Sequence, residues 1–247
     1  MTSAIDPRAA DLPWRARDFY GLGGCGVAIP DRSSRQMSST HDRQRARLIE
    51  RIRASTELQD ARILQAFASV PRHEFLSEAQ GAIAYEDRAV PLEDGQTVSQ
   101  PSMIAIMLSE LECEPTQRAL EVGAGSGYAA ALLAQLVREV HAVELRPALA
   151  ALARANLARS GASNVHVAEG DGSQGLAAHA PYDRILVSAA PSEVPNALVE
   201  QLAPGGRIVI PVGDEHAQTL LIGEKTSAGE LHFRRSVPCI FVPLVSS

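Results

Sequence analysis

Three acids in this chain sit where short apolar runs end, and glycines crowd two of them. Ala119-Leu120-Glu121-Val122 runs into Gly123-Ala124-Gly125-Ser126-Gly127-Tyr128. His141-Ala142-Val143-Glu144 is the second such ending, and Glu169-Gly170-Asp171-Gly172 the third. A strand, a tight glycine turn and a helix start form the place where open α/β sheets bind nucleotide-like ligands. Glycine lets the backbone come close to such a ligand, and carboxylates accept hydrogen bonds from its hydroxyls and amines.

The spacing separates the ligands. A dinucleotide turn reads Gly-x-Gly-x-x-Gly and makes room for a pyrophosphate. Here the order is Gly123-x-Gly125-x-Gly127, and Glu121 would repel phosphate. A carboxylate at that point suits an ammonium and a sulfonium, the charges at the methionine end of S-adenosylmethionine. Glu144, about twenty residues past the glycines, stands where an acid accepts from ribose hydroxyls. Asp171 between Gly170 and Gly172 can accept from an adenine amino group, or form an ordinary Asp-Gly turn. The candidate cofactor residues here are Glu121, Gly123, Gly125, Ser126, Gly127, Glu144, Asp171 and Gly172.

These residues need a scaffold, and the βα alternation from Ala119 predicts one. Strands are expected at Ala119–Val122, Val140–Leu145, Val165–Glu169, Arg184–Ser188 and Arg207–Pro211. Helices are expected at Tyr128–Val137, Pro147–Ser160 and Val194–Leu202, with a turn at Pro204-Gly205-Gly206. Thr219–Glu224 and Leu231–Ser236 read as a hairpin around Ala228-Gly229, and Ile240–Val245 as a last strand. Ile240–Leu244 is a candidate edge for peptide pairing, or plain core in the case of Ile240 and Val242. The fold class is α/β: a doubly wound, mostly parallel Rossmann-like sheet with antiparallel C-terminal strands. All three acids then fall on one edge of one sheet.

Before Ala119 the pattern changes. Asp42–Ala54 is an amphipathic helix whose arginines form a solvated face. Asp60 caps a second helix, Ala61–Ser69, which stops before Pro71. Residues 72 to 101 form a long irregular segment with aromatic anchors, which predicts an ordered functional loop. Tyr85 and Asp87 are read as ordering it over the site. Pro101 opens the next helix, and Ser99 just before it suits either a helix cap or a ligand site. Residues 1–40 are expected to be a disordered extension, with Met37 as an alternative start. Residues 41–247 are expected to be one domain: a helical and substrate segment (41–118), then the cofactor-binding sheet and C-terminal strands (119–247).

The 247 residues, 45% of them hydrophobic, suffice for one sizeable core. The formal charge of −6 argues against nucleic-acid partners. Cys25, Cys113 and Cys239 form neither a pair nor a metal set and read as reduced thiols in a cytoplasmic protein. No apolar run reaches membrane-spanning length. A monomer is expected.

The chain resembles the class I S-adenosylmethionine-dependent methyltransferases and, within them, the protein-L-isoaspartate O-methyltransferases. The resemblance covers roughly Asp42 to Val245. It rests on Val70-Pro71-Arg72-His73-Glu74-Phe75, Tyr85-Glu86-Asp87-Arg88, Gly95-Gln96-Thr97-Val98-Ser99-Gln100-Pro101, Leu120 to Tyr128, Gly170-Asp171-Gly172 and Phe241-Val242-Pro243-Leu244, among others. The glycine turn alone points only to the superfamily; the Gln-Thr-Val-Ser-Gln-Pro run and the tail are more restrictive.

The resemblance implies methyl transfer from S-adenosylmethionine to the free α-carboxylate of isoaspartyl residues in damaged proteins, which starts their repair. It points to Ser99 as the catalytic, orienting residue, with Thr97, Val98 and Gln100 shaping the pocket between cofactor and peptide. The alternative keeps the cofactor and changes the acceptor to another carboxylate or a small molecule. Nothing here looks like a metal site, and none is required. An α-carboxyl of pKa roughly 3.5 is already an anion at neutral pH, so no general base is needed. The chain departs from the family at Ser188-Ala189-Ala190-Pro191-Ser192, where the proline comes one place early, and in its N-terminal extension.

Overall fold

The computed structural model describes residues 32–246 except Glu57, with side chains from Thr40 onward. Most of the expected extension, with Cys25, lies outside the described residues.

Helix α1 (Arg32–Thr56) contains the expected helix but begins earlier, so Arg32 to Thr40 is helical where an irregular extension was expected. That stretch has no apolar periodicity to announce a helix. It also has no Gly or Pro to stop one spreading back from the docked part, where Leu48 and Ile52 are buried. Helix α2 (Ala61–Ser69) starts on Asp60, whose carboxylate accepts the Arg62 N–H at 2.8 Å, and ends at Val70 before Pro71.

The segment from Arg72 to Gln100 is ordered, as its aromatic anchors suggested. Short 3-10 pieces at Arg72–Phe75 and Glu78–Ile83 are followed by a small antiparallel ladder, β1 (Val90–Pro91) against β2 (Thr97–Val98). Phe75, Ala84, Tyr85, Val90 and Val98 pin it to the core. Helix α3 (Pro101–Leu111) follows directly.

The sheet then forms from β3 (Arg118–Val122), β4 (Glu139–Glu144), β5 (Val165–Glu169), β6 (Tyr182–Val187), β7 (Leu202–Gly213), β8 (Gln218–Lys225) and β9 (Leu231–Cys239), in spatial order β5-β4-β3-β6-β7-β8-β9. The first five run parallel; β8 and β9 are antiparallel. Helices α4 (Tyr128–Leu133), α5 (Pro147–Ser160) and α6 (Asn196–Gln201) make the crossovers. The chain leaves β3 first toward β4 and β5, then returns to β6 on the other side. That reversal opens a crevice at the carboxyl ends of the strands. Alternate residues feed two cores: Ala119, Ala142 and Leu186 join α1 to α5 on one face, while Leu120, Val122 and Ile185 pack with Leu198 of α6 on the other.

Three further expectations differ from the structure. α4 stops at Leu133 rather than Val137; Leu136 and Val137 are buried in turns instead. Pro204-Gly205-Gly206 lies inside β7, where the register to β6 shifts between Tyr182 and Arg184, so the turn is absorbed as an irregularity. Ile240–Val245 is not a strand. Only Pro243 bridges, to Ala190, and Pro243 has no N–H to extend a ladder. Ile240, read as core, is 67% exposed.

Among the described residues no helix is long and apolar enough to cross a membrane, and no group of three or more His, Cys, Asp or Glu could hold a metal.

Candidate active site

The glycine turn is fastened from both sides. The Gly123 and Ala124 N–H groups donate to the Val143 carbonyl, at 2.9 and 3.3 Å. Gly125 donates to Glu144 Oε2 at 2.9 Å, while Glu144 Oε1 accepts the Arg146 N–H at 3.0 Å. Glu144 therefore orders the turn and the start of α5 together, and still lines the cavity beside them. Gly123, Gly125 and Gly127 all have positive φ, which explains the alternation seen in the sequence.

Glu121 is the unusual group. It is 0% exposed. The Ser188 hydroxyl donates to its Oε1 at 3.4 Å, and its Oε2 has no partner. Burial pushes its pKa up to about 8, against the Ser188 bond, with the Glu144 charge adding to the rise. A buried carboxylate without a cation is costly. An ammonium or sulfonium placed against Oε2 would satisfy it, so the residues present fit S-adenosylmethionine.

Three adjoining hollows surround these groups. The first is lined by Thr97, Gly123, Gly125, Glu144 and Gly172, and closed by Val242 to Val245. The second, smaller, is lined by Thr97, Val98, Ser99, Glu121, Ser126 and Tyr128. The third is a cleft of about 870 Å³ bounded by Ser99, Gln100, Met103, Gly213, Ile240 and Phe241. Thr97 lines all three, and Ser99 lines the second and third. The β2–α3 junction is thus the wall between a cofactor-like cavity and an open cleft.

Ser99 does not cap α3. The N-cap residue is Gln100, and Asp87 meets the helix instead, its Oδ1 accepting the Ser102 N–H at 2.8 Å. Asp87 Oδ2 accepts from Gln100 Nε2 at 3.3 Å. Tyr85 contacts His73 Nδ1 through its hydroxyl at 2.8 Å. Burial lowers the His73 pKa to about 4, so that ring is neutral near pH 7. Tyr85 and Asp87 order the loop, as the sequence suggested.

Two sequence-predicted residues stand back from the hollows. Gly127 is the N-cap of α4, and a Cβ there would lie 3.1 Å from Leu157 Cγ; its smallness serves helix packing. Asp171 accepts the Ser173 N–H at 2.9 Å and caps the 3-10 turn Gly172–Gln174. Gly172 does reach the cavity, and a Cβ on it would lie 2.5 Å from Val122 Cγ1.

The sequence reading missed Ser188 as the partner of Glu121. It also missed the tail as a cavity wall: Ala190 N–H donates to the Val242 carbonyl and Leu244 N–H to the Ala190 carbonyl, each at 2.8 Å. In the sequence the Ser188-Ala189-Ala190 run stands out only for its shifted proline. The Pro191 carbonyl accepts the Gly213 N–H at 3.1 Å, tying that bend to the rim of the cleft.

The family profile for protein-L-isoaspartate(D-aspartate) O-methyltransferase matches residues 43–247. The chain is 49% identical over 205 residues to a protein-L-isoaspartate O-methyltransferase of Aeropyrum pernix, covering 81% of this chain and 79% of the relative. It is 48% identical over 207 residues to one of Methanopyrus kandleri, covering 82% and 92%. A solved protein-L-isoaspartate O-methyltransferase superimposes with a TM-score of 0.73 at 29% identity, covering 81% of this chain and 65% of that one. A Plasmodium falciparum structure of that description, in complex with S-adenosyl-L-homocysteine, gives 0.71 at 25% identity, covering 84% and 99%. The match takes in the glycine turn, the Ser99 segment and the tail alike, so the chain belongs to the protein-L-isoaspartate O-methyltransferase family of S-adenosylmethionine-dependent enzymes.

Proposed function

We propose that the protein methylates the free α-carboxylate of L-isoaspartyl residues in damaged proteins, the step that starts their repair. The observation that carries this reading is the position of Ser99, uncommitted to any helix cap, between a cavity with a buried unpaired carboxylate and an open cleft.

When bound, S-adenosylmethionine supplies an activated methyl group on a sulfonium. Glu121 would take its cationic end, and Glu144 its ribose hydroxyls through the lone pairs left by Gly125 and Arg146. Gly123, Gly125, Ser126 and Gly172 would shape the cradle, and Thr97 and Val98 would separate cradle from cleft. Asp171 would accept a hydrogen bond at the adenine edge. Ser99 would donate its hydroxyl to one oxygen of the acceptor carboxylate and leave the other facing the cavity. Orientation of that kind contributes about 7–11 kcal/mol in well-aligned systems. The acceptor arrives ionised, so Ser99 is asked only to place it.

The substrates are isoaspartyl-containing peptides and proteins. The protein acts as a cytoplasmic monomer without nucleic-acid or membrane partners. Support for that comes from the net acidic balance and from Cys113 and Cys239, both free and buried. Residues 41–118 serve as the substrate segment and 119–247 as the cofactor-binding part of one domain.

The test is incorporation of labelled methyl into one short peptide made in isoaspartyl and aspartyl forms. Large excess incorporation into the isoaspartyl form is expected. Equal incorporation into both, or none into either, would overturn the reading in favour of another acceptor.

A further inference from the structure

Arg72 is 0% exposed, yet it has no counter-ion. Among the described residues no carboxylate lies within ion-pair distance of it. Its Nη2 donates weakly to two carbonyls, Arg88 at 3.4 Å and Val98 at 3.5 Å. Its Nε and Nη1 have no partner. The guanidinium carbon sits 4.9 Å from the centre of the Tyr128 ring. Asp87, a carboxylate whose charge acts on it from a distance, already accepts from Ser102 and Gln100. The neighbouring His73 is neutral.

Leaving a guanidinium buried and unpaired costs several kcal/mol, and a Met of similar length would avoid that cost. The charge is placed where it can act. Val98 is one peptide from Ser99, and Tyr128 lines the same small hollow as Ser99 and Glu121. An acceptor carboxylate entering there approaches two buried acids, Glu121 and Glu144. Arg235, which lines the cleft itself, is exposed and bonded to Thr219, so solvent and salt screen it. A buried charge is screened far less.

We propose that Arg72 is a positioning residue whose uncompensated charge lets an anionic acceptor settle beside Glu121 and Glu144. The proposal rests on the carboxylate acceptor of the preceding section. Its sign is specific. An acceptor carboxylate loses its charge on becoming an ester, so a fixed cation favours the bound acid more than the reacting complex. Arg72 therefore strengthens acceptor binding and lowers KM, and it does not raise kcat.

The experiment is calorimetric titration of the S-adenosylhomocysteine-loaded protein with two peptides. One is the isoaspartyl peptide; the other is the same peptide with its α-carboxylate replaced by a carboxamide. Arg72→Met is expected to weaken the acid peptide about tenfold, the effect of unit charges roughly 10 Å apart at an effective dielectric near 20. The neutral peptide should change by less than about twofold, since it feels only loss of packing. Arg72→Lys should recover most of the difference, and 0.5 M salt should leave it largely in place. In turnover assays KM should rise while kcat holds or increases. Arg72→Gln, which drops the charge but keeps a donor for the Val98 carbonyl, carries the same expectation should Arg72→Met not fold. Equal weakening of both peptides, or of neither, would overturn the proposal. A wild-type protein that binds both peptides alike, or methylates neither isomer, would instead sink the acceptor assignment, and the wild-type titration reveals this before any variant is made.

Discussion

The Ser188 hydroxyl reaches Glu121 Oε1 across 3.4 Å and leaves Oε2 of that carboxylate buried and unmatched. One oxygen is steadied by the fold; the other waits for a cation. The group is poorly solvated, weakly paired and next to a second acid, which is why its proton is held up to about pH 8.

That proton makes cofactor binding pH-dependent. A cationic ligand favours ionised Glu121, so below about pH 8 binding must release a proton. Affinity for S-adenosylmethionine should rise with pH by up to about tenfold per unit and level off above pH 8. Glu121→Gln should bind more weakly and lose the slope. Calorimetry in buffers of different ionisation enthalpy reads the released proton directly. A flat affinity from pH 6 to 9 in the wild type would refute the assignment.

The same acid sets a stability trend in the ligand-free protein. Its pKa is raised on folding, so the folded state holds a proton that the unfolded chain gives up near pH 4.3. Its cost is absent below that value, grows as pH rises, and is complete once the carboxyl ionises near 8. Glu121→Gln should therefore raise Tm at pH 8.5 and do little at pH 4. Each kcal/mol is worth about 2–4 °C at this chain length. Thermal melts across that pH range decide it.

Glu144→Gln tests a different role. Glutamine keeps one acceptor oxygen but turns an NH2 toward the N–H of Gly125 or Arg146. One partly buried N–H then goes unpaired, at a cost of about 1 kcal/mol in stability. Cofactor affinity should fall by roughly tenfold or more, since the turn and the acceptor group are both disturbed. Removing this charge should also lower the pH at which Glu121 ionises. A variant with unchanged Tm and unchanged S-adenosylhomocysteine affinity would contradict the geometry.

Ser99→Ala should leave both the fold and cofactor affinity intact, because Asp87, not Ser99, meets the start of α3. Loss of a donor to an anion is worth about 1.5–3 kcal/mol, or roughly 10–150-fold in kcat/KM. Steady-state kinetics beside a thermal melt separate the two. A large drop in Tm would mean that the hydroxyl serves the fold after all.

Gly127→Ala should behave in the opposite way. The position has φ +85° and a new Cβ would press on Leu157 and the Ala153 carbonyl. A loss of about 1–3 kcal/mol is expected from backbone strain alone. S-adenosylhomocysteine affinity measured well below Tm should change little. Strong loss of affinity with Tm preserved would place Gly127 in the cradle rather than behind it.

Much of this molecule was legible in the chain. The βα alternation, the Asp60 cap, α2, the bounds of α5 and β5, and the placing of three acids on one sheet edge follow from period, capping residues and glycine spacing, all local properties. Those signals work because each is decided within a few residues. Where several distant segments compete, they fail. Arg32 to Thr40 carries no pattern and is helical in continuity with α1; Ile240 to Val245 has strand composition but forms a β-bridge only with Ala190.

Fold class and family were readable from the chain alone, and the acids and the serine were readable as candidates. Only the tertiary structure decided what each is free to do. It gave the helix cap to Asp87 and so released Ser99, set Gly127 to packing, and left Glu121 and Arg72 buried without counter-ions. Desolvation and pairing depend on neighbours brought from dozens of residues away, and no spacing along the chain encodes them.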